Sequence, residues 1–145
     1  MSIWPGHRFP KNVAQSGKDP LEAPREGGEL YAREWLRVLK AQPEYVTVAD
    51  WNNFEEETAI EDSYAWEDHW GHVVPDLYRR ITRAYSRLRT GQLVSGEYYR
   101  AETKPDVSFY DGKRLVPAAA MPRRTAVIPV PDAMFEQLRK ERGQS

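Results

Sequence analysis

ELYAREWLRVLKAQPEYVTVAD, residues 29–50, carries the pattern from which the fold is read. Leu30, Tyr31, Trp35, Val38 and Leu39 recur at three- and four-residue spacing, which lays them along one face of a helix, with Arg33, Arg37 and Lys40 elsewhere. Gly27 and Gly28 stand ahead of this pattern and Pro43 closes it. The stripe is a core-facing surface, so Trp35 is expected to be structural. Glu44–Asp50, EYVTVAD, is short and rich in Val and Thr, and lies between Pro43 and a polar stretch. Length and β-branching favour a buried strand there. A helix running within a few residues into such a strand predicts an α/β layer architecture.

Residues 51–74 read as a long loop with aromatic side chains, and loops of that length in a small domain are usually functional when they are not disordered. Pro75 and Asp76 then open a second helix. Leu77, Ile81, Ala84, Tyr85 and Leu88 form its apolar face, and Arg79, Arg80, Arg83, Arg87 and Arg89 its other face, with Gly91 placed to end it. Those arginines read as a solvated helix face, because no aromatic alternates with them and the overall charge is balanced. Beyond residue 91 the character changes. GEYYRAET and DVSFYDGKRLVPAA read as strands, with Asp111-Gly112 as a hairpin turn. TAVIPVP is a further short apolar run and DAMFEQLRKER a terminal helix. On the other side, residues 1–26 show little periodicity and read as extended loop.

The chain has 145 residues, 40% hydrophobic and 30% charged, with 11 Pro and 9 Gly, enough for the modest core of one domain. A formal net charge of -1 provides no global field toward nucleic acid or an anionic membrane. Absence of cysteine excludes a disulfide framework and a thiolate metal site, and fixes no compartment. MSIWPGHRFPKN lacks the apolar centre of a signal peptide, and no apolar run is long enough to span a bilayer. Neither a nucleic-acid nor a membrane partner is therefore expected, and localisation stays open.

Between Asp50 and Asp68 eight acidic residues occur without a Lys, Arg or His among them: Asp50, Glu55, Glu56, Glu57, Glu61, Asp62, Glu67 and Asp68. Trp51, Phe54, Tyr64 and Trp66 are interleaved. Carboxylates crowded without local cations repel one another, which predicts some raised pKa values, as a general acid near neutral pH requires. Aromatic faces beside carboxylates also suit sugars. A solvated acidic loop explains the same composition. His69 and His72, near Glu67 and Asp68, lack the helical HExxH pattern or a third His in step, so no metal site is expected. The Asp50–Asp62 run lacks the alternation and central Gly of an EF-hand loop, and no nucleophile elbow or phosphate loop occurs, so no cofactor is expected.

The order of residues in VTVADWNNFEEETAIEDS, residues 46–63, resembles the strand-eight signature of the glycoside hydrolase family 99 and family 71-like (β/α)₈ barrels. That signature runs as a strand, then aromatic-Asn-Glu-aromatic-x-Glu-Gly-Thr-x-Ile-Glu. PREGGELYAREWLRVLKAQPEYVTV is similar to the preceding helix of these barrels and PDLYRRITRAYSRL to the closing one. Trp4-Pro5-Gly6 is similar to the loop after strand seven. The resemblance covers about residues 4–90 and is strongest over 27–90. It implies the helix–strand–helix end of a TIM-barrel-like domain, a partial barrel over residues 1–90, with a β-hairpin extension and terminal helix over 91–145. A complete barrel takes roughly 250 residues, so the expectation is either the end of a longer barrel chain or the same element reused in a smaller protein.

For function, the resemblance implies endo-acting cleavage of α-mannosides with retention. In the family the first Glu of the motif deprotonates the sugar 2-hydroxyl and the second serves as acid/base. The second falls on Glu56, the expected catalytic residue. Trp51, Asn52, Phe54 and Glu61 match other motif positions and are expected to bind substrate, together with Asn53. Asn53 stands where the first Glu belongs, and an amide cannot act as the base. Glu57 replaces the motif Gly, and Glu55 or Glu57 would have to supply the missing carboxylate. The expected partner is carbohydrate, with self-association or the rest of a barrel chain beside it. Hydrolysis, non-catalytic glycan binding or assembly, and a solvated structural fragment without its own activity all remain open.

Overall fold

The computed structural model describes residues 1–7, 23–54, 56, 58–118 and 126–142. Strand β1 (Ser2–Ile3) lies parallel to β2 (Thr47–Val48), with Ser2 opposite Thr47 and Ile3 opposite Val48. Parallel neighbours need a crossover, and helix α1 (Glu29–Ala41) lies in it. Helix α2 (Leu77–Leu88) follows β2 after a long irregular segment. β1 corrects the reading of residues 1–26 as loop throughout: two residues are too few to show a period, and the partner is far away in sequence.

Tyr31, Trp35, Val38 and Leu39 are buried as the helical spacing requires; Ala32 and Leu36 join them, while Leu30 is half-buried. The start of α1 depends on Gly27, whose φ of 62° is left-handed and whose Cβ, if present, would collide with the His69 backbone nitrogen. Gln42 ends the helix in the left-handed conformation, its N–H bonded to Val38 O, and Pro43 follows. In α2 all five expected positions are buried, and Tyr78 with them. Trp35 of α1 stacks on Tyr85 of α2 with ring centroids 5.7 Å apart and planes 2° from parallel.

The arginine face of α2 is only partly solvated. Arg79, Arg83 and Arg87 are exposed, but Arg80 forks onto Glu97 at 3.1 and 2.7 Å, and Arg89 donates to Pro43 O at 2.6 Å. Likewise β2 is not the buried strand that EYVTVAD suggests. It is two residues long, Thr47 is exposed, and Val46 and Val48 are partly buried against the core. Among the described residues β1 is its one partner, and one face of the pair meets α1 while the other is exposed.

The C-terminal part forms a four-stranded sheet in the order β5–β4–β3–β6, built from β3 (Tyr98–Ala101), β4 (Val107–Tyr110), β5 (Leu115–Pro117) and β6 (Val127–Val130). The Asp111-Gly112 turn joins β4 to β5; Asp111 Oδ1 accepts the N–H groups of Lys113 and Arg114, both at 2.7 Å, and Gly112 has φ 98°. The sheet is more than the expected hairpin extension, because β6 runs parallel beside β3. Ile128, Pro129 and Val130 are all buried on this edge strand, where Pro129 is tolerated. Tyr85 of α2 donates to Pro129 O at 2.8 Å. Helices α1 and α2 contact β6, and the terminal helix α3 (Asp132–Arg142) contacts β3. One cluster of buried side chains runs from Ile3 through both helices and the sheet to Leu138. Among the described residues the fold is mixed α/β with three helices and two sheets, and no barrel closes.

Candidate functional site

At the C-terminal end of β2 the chain turns back on itself. Asp50 N–H donates to Thr58 O at 2.9 Å, Ile60 N–H to Asp50 O at 3.1 Å, and Glu61 N–H to Trp51 O at 2.8 Å. Asn53 sits inside this loop, and its carbonyl accepts the N–H groups of Thr58 and Ala59, each at 3.1 Å. Its side-chain Oδ1 accepts Glu56 N–H at 3.2 Å, which turns Nδ2 toward two carboxylates: Glu56 Oε2 at 3.2 Å and Asp50 Oδ2 at 3.4 Å. Thr58 Oγ1 donates to the same Asp50 oxygen at 3.0 Å. Asn53 thus acts as a donor clamp between two anions, and in that position it has no capacity to take a proton.

Beside the clamp is an aromatic stack. Phe54 lies on Trp66 at 5.7 Å with planes 11° apart, and Trp66 meets Tyr78 edge-on at 5.5 Å. Trp66 Nε1 donates to Glu61 O at 2.7 Å. The Arg25 guanidinium lies 3.9 Å from the Trp66 ring centre and 4.4 Å from that of Tyr78, while its Nη2 donates to Ala59 O at 2.8 Å. Arg25, Phe54, Trp66, Glu67 and Tyr78 line a hollow of about 470 Å³. Trp51 and Phe54 remain 55% and 45% exposed, so aromatic faces are open to a ligand next to the carboxylates.

The structure therefore brings Asn53 and Glu56 together with Asp50, and places Phe54 on the adjoining stack. Glu56 and Glu61 are half-buried; Asn52 and Trp51 are exposed. The bonds that hold Glu61 in the loop run through its backbone. Glu55 and Glu57 lie outside the described residues. Cations absent from the loop's own sequence arrive from elsewhere in the fold: Arg25 at the stack, and Arg79, which pairs with Asp62 at 2.8 Å.

Asp68 is buried, yet its pKa moves opposite to the expected rise. Burial pushes the carboxyl up, but hydrogen bonds from the His72 backbone, the His72 ring and the Trp70 backbone outweigh it and hold it below the ordinary range. His72 Nδ1 lies 3.0 Å from Asp68 Oδ2, and His69 Nδ1 lies 2.9 Å from Glu29 Oε1, so the two histidines have separate carboxylate partners. Among the described residues no group of three side chains is arranged to hold a metal, and no helix is long and apolar enough to cross a membrane.

Two contributors escaped sequence reading. Arg25 has no local signal, because its position depends on rings from two distant segments. The Asp68 turn does have one: an Asp with Gly71 three residues on, in a pattern suited to a side chain capping nearby N–H groups. No family model, curated protein or solved structure matches the chain.

Proposed function

We propose that the surface at the C-terminal end of β2 binds carbohydrate, in a unit that corresponds to the end of a family 99-like (β/α)₈ barrel and lacks that family's hydrolytic first step. The observation that carries this reading is the Asn53 clamp: its amide donates toward both Glu56 and Asp50, beside the exposed rings of Trp51 and Phe54. Hydroxyl groups of a sugar find carboxylate acceptors there, and its C–H face finds aromatic surface. The residue that the family uses as a base is here an amide, so recognition survives without proton abstraction. The parallel order β1–α1–β2–α2 supports the barrel-end reading, since the ligand sites of such barrels lie at the C-terminal ends of their strands.

The test is titration of the full chain with α-linked mannobiose and mannotriose, followed by NMR, alongside product analysis after long incubation. Saturable shifts centred on Trp51, Asn53 and Phe54 without released sugar are expected, weakened several-fold by Trp51→Ala. Absence of any saturable shift with these and a broader glycan panel removes the proposal. The position of Glu56 favours a second reading, an active hydrolase: release of sugar that disappears in Glu56→Gln would establish it instead.

A further inference from the structure

A second cleft, of about 500 Å³, lies between α1, α2, the Asp68–Trp70 turn and the four-stranded sheet. Leu36, Leu77, Ile81 and Val127 are among its apolar walls, Trp70 stands at its side 51% exposed, and Arg100 reaches it from β3. The volume falls within the usual range for small-molecule sites. It includes none of the carbohydrate-site residues Trp51, Asn53, Phe54 and Glu56.

Its charges are nearly all matched. Glu29 is paired with His69 at 2.9 Å, Arg33 with Glu26 at 2.7 Å, Asp68 with His72 at 3.0 Å, and Glu102 with Lys40 at 2.8 Å. Arg100 is the exception. Its Nη1 donates to the carbonyls of Ala101 at 3.2 Å and Glu102 at 2.7 Å, and no described carboxylate forms an ion pair with it. A guanidinium has five N–H donors in a planar fork, and these two carbonyls engage only one nitrogen. A half-buried cation beside apolar walls is stabilised by an anion that meets the fork while the rest of the ligand covers the walls.

We propose that this cleft binds a small amphipathic carboxylate, with its apolar body between the helices and β6 and its carboxylate on Arg100. A singly charged planar head suits a lone guanidinium, whereas a phosphate dianion would bring a second negative charge toward Glu29 and Glu102 on the same lining.

NMR titration of the full chain with sodium octanoate, octanamide and hexyl phosphate tests it. Octanoate should shift the methyl signals of Leu36, Ile81 and Val127 saturably, and octanamide should bind at least about tenfold more weakly. Arg100→Gln should bring octanoate down to the level of octanamide, while Arg37→Gln, on the exposed face of α1 and outside the cleft lining, should leave it within about twofold. Should Arg100→Gln fail to fold, judged by its thermal transition, the octanoate and octanamide pair on the unaltered chain decides the matter. Equal binding of those two, shifts confined to other residues, no saturable shift, or tighter binding of hexyl phosphate would each overturn the proposal.

Discussion

Asn53 decides what the loop after β2 can do, because one amide satisfies a backbone donor and faces two carboxylates. Asn53→Ala should destabilise the chain by about 1–2 kcal/mol in urea unfolding, through loss of these bonds. Asn53→Asp keeps the acceptor for Glu56 N–H but faces Glu56 and Asp50 with a third negative charge. Its destabilisation should exceed that of Asn53→Ala in the same urea series; the reverse order would show that the amide's place between the two carboxylates does not matter. Asp68 gives a pH dependence. Its folded-state pKa is depressed, so its contribution to stability is present above the unfolded value of about 4 and is lost as pH falls through the lower folded value. Asp68→Asn should accordingly lower stability at neutral pH and flatten the acid limb of a stability–pH curve. Of this site, the sequence marked Asn53 and Glu56 only by their place in a motif; that the Asn53 amide faces Glu56 and Asp50 depends on how the loop folds back, which residue order does not state. The Arg25 contact with Trp66 and Tyr78 was not marked at all, since it is made by three separate segments meeting only on folding.

At the scale of elements, the two helices are joined by the Trp35–Tyr85 stack, which then reaches β6 through the Tyr85 hydroxyl. Trp35→Ala should lower stability by about 3–5 kcal/mol, as expected for an emptied aromatic core position, and the thermal midpoint should fall accordingly. Arg80 ties α2 to the segment entering β3 through Glu97, and both side chains are largely shielded, 22% and 9% exposed. Both helices were legible because an apolar stripe at helical spacing is written within a dozen residues. The hairpin at Asp111-Gly112 was legible for the same reason, its turn chemistry being contiguous. The parallel placement of β6 beside β3, and the two-residue β1, depend on partners far along the chain, and short apolar runs carry no record of which neighbour they choose. EYVTVAD was read as buried because its composition fits a two-sided environment; in the fold one of those sides is open.

That open side is a property of the whole molecule. Thr47 and Ala49 donate to Met1 O and Ile3 O, so the alternate residues Val46 and Val48 turn their backbone groups away from β1, where no described strand pairs with them. On the water-facing side of the same pair stand Trp4 and Tyr45, 40% and 75% exposed, with Trp51 at the strand's end. Parallel strands are normally covered on both faces and continued at their edges, and an exposed edge beside aromatic side chains is a surface for association. The proposed barrel-end unit needs further strands at this place, whether from a longer chain or from a second copy. Sedimentation velocity on the chain alone should therefore show association that rises with concentration, and Thr47→Lys, a charge on the exposed face, should suppress it while leaving the thermal midpoint nearly unchanged. Hydrogen exchange gives an independent reading: the amides of Val46 and Val48 should exchange much faster than those of Thr47 and Ala49 in dilute solution and slow on association. A chain that stays monomeric at every concentration while the Val46 and Val48 amides are protected would mean that the edge is already covered within one molecule, and the need for additional strands would disappear with it.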